Sequence, residues 1–300
     1  MKLLVIGAEG FIGKKVVEVS MAANFEVWRS GKNIKKSLRS RILNLFDKTS
    51  IKKVLSEIRP DYIISCAGNV ENSEKALVTN PVFTLNLLQA IIESKAKYKK
   101  IIILGSSGEY GVVGKKKLLV KESCTSLADT FYAKSKVIET SVALYFRDYY
   151  KLPIVVARIF NPIGSGMNQR FLIPNLIKQI REIKIGKRKE IEINSLADSR
   201  DYIDVADVAE ALLRICKKNA KGSIYNIGSG ERTTNKTLLK IILKEFNVNL
   251  KTKVKNEIKG AVPISAVQAD IGKIIKDTGW SPKIKLTDTI KEISNESKRD

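Results

Sequence analysis

The sequence predicts an α/β fold in which a parallel sheet is covered by helices on both faces. Three observations support this: the apolar segments of the first half are short and nearly continuous, they alternate with segments of helical length, and a glycine-rich turn follows the first of them. Such continuous runs are typical of strands buried on both faces. The chain has 300 residues, of which 44% are hydrophobic and 28% charged, and this suits one large α/β unit or two closely joined domains.

Strand and helix signals alternate through the first half and become less regular after about residue 160. Apolar runs rich in β-branched residues predict strands at 3–7, 25–30, 61–68, 100–111 and 152–164. Apolar patterning and length predict helices at 11–21, 50–58, 80–94 and 130–150, followed by 171–180 and 204–218. The segment 223–230 ends in a turn. We therefore expect a smaller and less regular portion in the second half.

Three glycines form a G-x-x-G-x-x-G pattern between the first predicted strand and the first predicted helix. The pattern permits a tight turn, close approach of the backbone to a pyrophosphate, and close packing of the helix on the strand. We expect a dinucleotide to contact Gly7, Gly10, Phe11, Ile12 and Gly13. The predicted fold is thus a Rossmann-type doubly wound sheet, with an NAD(P)-binding domain over 1–160 and a substrate-binding α/β portion over 161–300 that is interleaved with it.

The end of the second predicted strand, at residues 28–32, contains no carboxylate. Folds of this kind commonly place an acidic residue there, which binds an adenosine ribose hydroxyl of NAD. Arg29, helped by Ser30 or Lys32, is suited instead to pair with a 2′-phosphate. We expect NADP as the cofactor, with NAD as second choice. The alternative is that Arg29 is a solvated basic side chain on a lysine-rich surface.

Histidine is absent from all 300 residues, which removes the usual acid or base near neutral pH. A Ser-His-Asp triad, a Cys-His pair and a histidine-ligated zinc site are therefore excluded. Tyr132 and Lys136 lie four residues apart on a predicted helix, so both side chains share one face. A cation beside a phenol favours the phenolate, and a tyrosine in that setting can donate or accept a proton.

The net charge is +23, from 54 basic and 31 acidic residues. The lysines lie in short, scattered clusters without aromatic residues between them, so we expect phosphorylated small molecules rather than nucleic acid as partners. Cys66, Cys124 and Cys216 are widely spaced and predict neither a disulfide framework nor a metal site. No apolar run reaches the ~18 residues that span a bilayer, and we expect a cytoplasmic protein without a membrane partner.

Seven segments resemble motifs of the extended short-chain dehydrogenase/reductase superfamily, in its NAD-dependent epimerase/dehydratase family. They are GAEGFIG (7–13), GSSGEYG (105–111), YAKSK (132–136), ARIFNPIG (157–164), SRDYIDVADVAEAL (199–212), YNIGSG (225–230) and DTGWSPKIKLTDTI (277–290). A tyrosine–lysine pair alone is common by chance, but the order and spacing of the whole set are specific. Within the superfamily, the segments are most similar to those of reductases that act on GDP-4-keto-6-deoxy-mannose.

The resemblance implies roles for individual residues. The catalytic residues would be Tyr132, which donates a proton to the substrate carbonyl, Lys136, which assists it and binds the nicotinamide ribose, and Ser106, which binds the carbonyl oxygen. Tyr132 would contact the cofactor as well, and further cofactor contacts would come from Asn44, Leu45, Cys66, Ala67, Gly68 and Ile159. Substrate contacts would come from Ser106, Ser107, Asn161, Arg170, Arg200 and Lys259. For Arg200, which is suited to grip a diphosphate, a structural pair with Asp201 or Asp204 is the alternative.

The resemblance also implies NADPH-dependent reduction of the 4-keto group of a nucleotide-diphosphate sugar, with GDP-4-keto-6-deoxy-mannose and its product GDP-6-deoxy-mannose (GDP-rhamnose) as the best single choice. A UDP- or dTDP-sugar 4-epimerase, or a dehydratase, that retains NAD is the alternative. Dehydratases of the superfamily tend to place an acid pair directly after the catalytic serine or threonine, where this chain has Ser107 and Gly108. Pro162 stands where a histidine is common, which leaves the exact sugar open.

The resemblance implies a homodimer as well. The helices predicted at 80–94 and 130–150 would form its interface, as a two-helix face on each subunit. A non-catalytic sensor that kept the dinucleotide fold is an alternative of a different class, and the intact Ser106, Tyr132 and Lys136 argue against it.

Overall fold

The computed structural model describes residues 1–35, 37–111, 119–218, 220–248, 254–256 and 267–296. Its strands in chain order are β1 (Lys2–Ile6), β2 (Glu26–Gly31), β3 (Ser40–Ile42), β4 (Tyr62–Ser65), β5 (Lys100–Ser106), β6 (Leu119–Val120), β7 (Ile154–Ile159), β8 (Pro162–Ile163), β9 (Ile191–Ile193), β10 (Ser199–Arg200), β11 (Ile203–Asp204), β12 (Ile224–Ile227), β13 (Thr233–Thr234), β14 (Val254–Asn256) and β15 (Gln268–Ala269). Its α-helices are α1 (Phe11–Ala22), α2 (Lys48–Ile58), α3 (Glu74–Glu93), α4 (Phe131–Tyr150), α5 (Leu172–Lys184), α6 (Val205–Lys217), α7 (Asn235–Glu245), α8 (Gly272–Thr278) and α9 (Leu286–Glu296).

A seven-stranded sheet forms the centre of the molecule, in the order β12-β7-β5-β4-β1-β2-β3. All six of its neighbouring pairs are parallel. The strand order reverses between β1 and β4, and in open parallel sheets ligands bind in the crevice at the carboxyl ends of such strands. The predicted doubly wound Rossmann-type fold is confirmed.

Helices cover both faces of this sheet because successive strand side chains point to opposite sides. Leu3 and Val5 of β1 pack with residues of α1, α6 and α8, whereas Leu4 and Ile6 pack with residues of α2, α3 and α4. All four β1 side chains are almost fully buried. The continuous apolar runs in the sequence therefore reflect strands that contribute to two cores at once.

The second half of the chain contributes to two regions. Strand β12 and helix α6 return to the central unit, where β12 pairs with β7 and α6 packs on α1. Helices α5, α7 and α9 form a separate apolar core with β9 and the ring of Tyr202. This smaller α/β portion follows directly from β7, at the carboxyl edge of the central sheet.

Several predicted elements end or begin at other residues in the structure. The strand predicted over 152–164 ends at Ile159, and Pro162–Ile163 forms a separate strand that pairs with β11. The strand predicted over 100–111 ends at Ser106, because Ser106 and Glu109 form a reciprocal capping box that starts a 3₁₀ turn at Ser107–Tyr110. The helix predicted over 80–94 begins at Glu74, with the Ser73 hydroxyl as its cap, and continues through Pro81. This helix, α3, is long and apolar enough to cross a membrane by length and composition alone. It packs along α2 and α4 as part of the core.

Candidate active site

The glycine turn brings β1, α1 and the loop after β4 into close contact. Gly7 has a φ of +74°, in the left-handed region that favours glycine. A Cβ atom on Gly13 would lie 2.1 Å from the Gly7 carbonyl oxygen, and a Cβ on Gly7 would lie 2.8 Å from the backbone nitrogen of Ala67. Since neither contact is sterically possible, only glycine permits this packing.

Helix α1 begins at this turn with an end that suits an anion. Gly10 is its N-cap and offers no side-chain hydrogen bond, and the first turn contains no acidic residue. The uncapped N–H groups and the positive end of the helix dipole therefore favour a phosphate group. Phe11 and Ile12, both partly buried, are the first residues of the helix. The glycine cradle and the uncapped helix end together fit the pyrophosphate of a dinucleotide.

Strand β2 carries the residues expected to select the cofactor. Arg29 lies opposite Val5, and its guanidinium is 3.3 Å from the Ser37 hydroxyl, beside a cavity of about 650 Å³ on the α1 face of the strand. Ser30 is buried and its hydroxyl is 3.4 Å from the Val5 carbonyl. The strand continues to Gly31, so its last position has no side chain. Contact of Arg29 or Ser30 with a cofactor stays a prediction.

The other residues expected to bind the cofactor lie at the carboxyl ends of parallel strands. Asn44 and Leu45 follow β3, Cys66 to Gly68 follow β4, and Ile159 ends β7. The Cys66 N–H donates to the Ile6 carbonyl at 2.8 Å, which holds this loop against the end of β1. Burial raises the pKa of the Cys66 thiol to about 12, and the nearby charge of Lys136 counters that rise only in part.

The structure brings Ser106, Tyr132 and Lys136 to this same edge. Ser106 ends β5, and Tyr132 and Lys136 lie in the first two turns of α4, whose start is capped by the Thr130 hydroxyl. A Cβ atom on Gly108 would contact both the Ser106 hydroxyl (3.3 Å) and the Ala133 side chain (3.7 Å), so the turn after β5 abuts the first turn of α4. Ser107 begins that 3₁₀ turn and is partly buried.

Lys136 is buried in an ion pair. Its Nζ is 2.6 Å from a carboxylate oxygen of Glu139, and both side chains are at most 7% exposed. The second oxygen of Glu139 accepts a hydrogen bond from the Thr84 hydroxyl of α3 at 2.7 Å. Burial by itself lowers the pKa of Lys136, but the charges of Glu139, Tyr132 and Glu109 together raise it above its ordinary value. Lys136 is therefore an ammonium at neutral pH.

Glu109, which the sequence leaves without a role, holds Ser106 in place. The Ser106 N–H donates to its Oε1 at 2.9 Å, and the Thr140 hydroxyl and Arg158 Nε each donate to its Oε2 at 2.9 Å. The carboxylate is fully buried. Ser106 Oγ accepts the Gly108 N–H at 3.1 Å, and its own proton remains available to a substrate oxygen.

A second polar contact, not foreseen from the sequence, joins the loop after β4 to α4. The amide of Asn80 in α3 donates to the Ser135 hydroxyl and to the Asn69 carbonyl, each at 2.9 Å. The Asn69 N–H donates back to the Asn80 side chain at 2.7 Å. The loop after β4 is thereby tied to the helix turn between Tyr132 and Lys136. No sequence signal singles out this contact, because α3 also contains the polar residues Thr79, Thr84, Asn86 and Gln89.

The residues expected to bind the substrate differ from one another in exposure and in their contacts with the rest of the chain. The Asn161 amide donates to the Asp201 carbonyl at 2.9 Å, so Asn161 also has a structural role. Arg200 is partly exposed and makes no ion pair within the described ranges, which argues against a pair with Asp201 or Asp204. Arg170 is exposed and its guanidinium lies 5.2 Å from the centre of the Phe171 ring. Lys259 lies outside the described residues.

Asp201 has a structural role that the sequence does not reveal. Its buried carboxylate accepts the backbone N–H groups of Ser229, Gly230 and Ala269 at 2.7 to 3.1 Å. Burial raises its pKa, and these hydrogen bonds counter the rise in part. Asp201 thus connects the strand that carries Arg200 to the loop after β12.

Comparison with known proteins agrees with this arrangement. The profile of the NAD dependent epimerase/dehydratase family matches residues 3–228. The chain is 27% identical over 299 residues to GDP-6-deoxy-D-mannose reductase of Pseudomonas aeruginosa, with 97% of this chain and 95% of that protein covered. It is 28% identical over 235 residues to GDP-6-deoxy-D-talose 4-dehydrogenase of Aggregatibacter actinomycetemcomitans, with 77% of this chain and 75% of that protein covered.

A solved structure is similar over the full chain. RMD from Pseudomonas aeruginosa, complexed with NADPH, has a TM-score of 0.86 and 26% sequence identity, with 99% of each chain covered. The glycine cradle, the Ser106–Tyr132–Lys136 cluster and the family match agree with one another. The chain therefore belongs to the NAD-dependent epimerase/dehydratase family, and it is an NAD(P)-dependent enzyme of the extended short-chain dehydrogenase/reductase type.

Proposed function

We propose that this protein reduces the 4-keto group of a nucleotide-diphosphate sugar with NADPH. The observation that carries the proposal is that Ser106 ends β5 and that Tyr132 and Lys136 lie in the first two turns of α4, which abuts the turn after β5. GDP-4-keto-6-deoxy-mannose, reduced to GDP-6-deoxy-mannose (GDP-rhamnose), is the preferred substrate. The similarity to a GDP-6-deoxy-D-mannose reductase over 97% of this chain supports that choice.

Each of the three residues has a distinct task in this reaction. A reduced nicotinamide, when bound, would supply the hydride. Tyr132 donates its phenolic proton to the carbonyl oxygen, where negative charge develops. Ser106 donates a hydrogen bond to the same oxygen through its hydroxyl proton, while its Oγ accepts the Gly108 N–H. The Lys136 ammonium stabilises the phenolate that remains and binds the nicotinamide ribose.

The environment of Glu109 supports reduction over dehydration. A dehydratase needs a carboxylate that can remove a proton beside the carbonyl, but the two residues after Ser106 are Ser107 and Gly108. Glu109 is the nearest acid along the chain, and it is fully buried with hydrogen bonds to Ser106, Thr140 and Arg158. It is therefore committed to holding the turn rather than open to substrate.

The cofactor preference follows from the end of β2. An acidic residue there would bind the ribose hydroxyl of NAD and repel the 2′-phosphate of NADP. Strand β2 instead ends on Gly31 and is followed by Lys32. We expect NADPH to bind more tightly than NADH, as measured by titrating nicotinamide fluorescence with the purified protein. Tighter binding of NADH would contradict this part of the proposal.

Arg200 and Asn161 support a diphosphate-linked substrate. Arg200 is partly exposed and forms no ion pair within the described part of the chain, so its planar guanidinium is available to a diphosphate. Asn161 lies just beyond β7 and contacts the backbone of the neighbouring residue Asp201. Asn161 thus lies close to the strand that carries Arg200, and Arg170 is a further candidate for the same substrate.

The decisive experiment incubates the purified protein with NADPH and a panel of GDP-, UDP- and dTDP-linked 4-keto-6-deoxy sugars. Absorbance measures NADPH consumption, and mass spectrometry and NMR identify the product. We expect one NADPH to be consumed for each sugar reduced, with the GDP-sugar preferred. Interconversion of UDP- or dTDP-sugars without net NADPH consumption would identify a 4-epimerase that retains its cofactor and would overturn the reductase proposal.

We further propose a cytoplasmic homodimer with α3 and α4 at its interface. Ile138, Tyr145 and Tyr149 recur on α4 at spacings of seven and four residues, are at least 43% exposed, and share one helix face. Val78 of α3 is 62% exposed. Such apolar positions are suited to burial against a second copy. Light scattering after gel filtration should give twice the mass of the chain, and Tyr145→Asp should yield monomers; a monomeric native protein would contradict the proposal.

A further inference from the structure

The buried carboxylate of Glu139 is not required by the chemistry described so far, yet it is the direct partner of Lys136. The two groups lie on successive turns of α4, three residues apart, and are 2.6 Å apart. Burying a carboxylate is costly unless it is paired and hydrogen-bonded. Glu139 satisfies both conditions, because Thr84 of α3 donates to its other oxygen at 2.7 Å. The fold thus buries a carboxylate at this position although its burial is energetically unfavourable without these two partners.

The groups around Lys136 determine which hydrogen bonds its ammonium can make besides the one to Glu139. Tyr132 lies one turn before it on α4, Glu109 approaches from the 3₁₀ turn, and Cys66 lies in the loop after β4. Arg158 of β7 is engaged by Glu109. An ammonium has three N–H donors, and Glu139 accepts one of them. Two donors remain for the phenol of Tyr132 and a ribose hydroxyl.

We propose that Glu139, oriented by Thr84, is a positioning residue that keeps Lys136 protonated and directed toward the cofactor and Tyr132. This inference rests on the proposed reductase function, in which Lys136 binds both the nicotinamide ribose and Tyr132. Burial alone would favour a neutral amine at this position. With Glu139 neutralised by substitution, Lys136 would lose its proton at a lower pH, and the ribose would lose a charged hydrogen-bond donor.

Binding of the reduced cofactor tests the proposed role of Glu139 without any sugar substrate. NADPH and NADH fluorescence titrations are run from about pH 7 to about pH 9, below the ordinary lysine pKa. We expect the native protein to bind with nearly constant affinity over that range. For Glu139→Gln we expect affinity to weaken about tenfold or more as pH rises, because a charged hydrogen bond is lost. Thr84→Val should show the same trend to a smaller extent.

Two control variants separate positioning from general damage. Thr84→Ser retains the hydroxyl and should behave as the native protein. Glu18→Gln removes the carboxylate of another Lys–Glu pair with three-residue spacing, formed with Lys15, in which Glu18 is 68% exposed. It should leave the pH dependence unchanged, since an exposed pair contributes little.

Turnover gives a second readout if the reductase proposal holds. Glu139→Gln should lower kcat, leave KM for the sugar nearly unchanged, and shift the alkaline limb of the kcat profile to lower pH. A Glu139→Gln protein with native pH dependence of cofactor binding would overturn the proposal, as would a loss of affinity that is equal at every pH. If Glu139→Gln does not fold, Thr84→Val decides by the same criteria. Absence of sugar turnover alone would count against the reductase function and leave the cofactor titration valid.

Discussion

Replacement of Glu109 by glutamine should destabilise the protein strongly, because it leaves a buried guanidinium without a counter-charge. Arg158 is 8% exposed and Glu109 is fully buried. Removing one partner of such a pair costs about 3–5 kcal/mol. Glutamine also places an N–H₂ group among three donors, and each buried donor left unpaired costs about 1–3 kcal/mol. These two costs overlap, so we expect the free energy of unfolding to fall by about 3–5 kcal/mol.

The assay is urea unfolding followed by circular dichroism, with the slope compared between variants. Glu57→Gln is the matched control: Glu57 pairs with Arg41 at the surface, where the side chains are 44% and 28% exposed, and its replacement should change the free energy of unfolding far less than Glu109→Gln does. The double variant Glu109→Gln with Arg158→Met should be less destabilised than the sum of the two single variants, since no lone charge stays buried. A cost for Glu109→Gln below about 1 kcal/mol, or strict additivity, would refute this reasoning.

Three further predictions concern other sites. Gly13→Ala places a Cβ 2.1 Å from the Gly7 carbonyl oxygen, so α1 must shift away from β1. Titration calorimetry should then show cofactor affinity falling about 100-fold. Unchanged affinity would contradict the expectation that the glycine turn binds the cofactor. Arg200→Ala should raise KM for the sugar about tenfold or more with little change in thermal stability, and steady-state kinetics with an unaltered KM would remove its assignment. Hydrogen bonding by the Lys2 N–H holds the pKa of Asp61 below its usual value. The stabilisation from Asp61 is therefore present above the pKa of the unfolded state and is lost as pH falls through the pKa of the folded state. Asp61→Asn should lose less stability on acidification than the native protein does, and equal losses in denaturant titrations would disprove the linkage.

Much of the fold could be predicted because its signals are local. The apolar run of β1 and the three glycines after it predicted the first strand, turn and helix, and the structure confirms the doubly wound sheet. The tyrosine–lysine spacing predicted a shared helix face, and α4 contains both residues. The extended short-chain dehydrogenase/reductase family and its nicotinamide cofactor are confirmed by the family match. Roles of single residues toward cofactor and substrate stay predictions.

The partners of the site residues could not be predicted in the same way. Thr84 and Glu139 are 55 positions apart, and Glu109 and Arg158 are 49 apart. No periodicity in either segment indicates that these side chains meet. An acid three residues after Lys136 was visible in the sequence, but such pairs most often lie on solvated helix surfaces. Only the packing of α3 against α4 shows that this one is buried.

The amino-acid sequence alone determined where strands, helices and the glycine turn form, because propensity, apolar periodicity and backbone freedom act over a few residues. It also determined which chemistry is possible, since a chain without histidine must move protons through other groups. Tertiary structure alone decided that Lys136 is held by the buried carboxylate of Glu139 and Ser106 by that of Glu109. Burial and long-range hydrogen bonding are properties of how elements pack, and the energy of a charge depends on that environment more than on its neighbours in the chain.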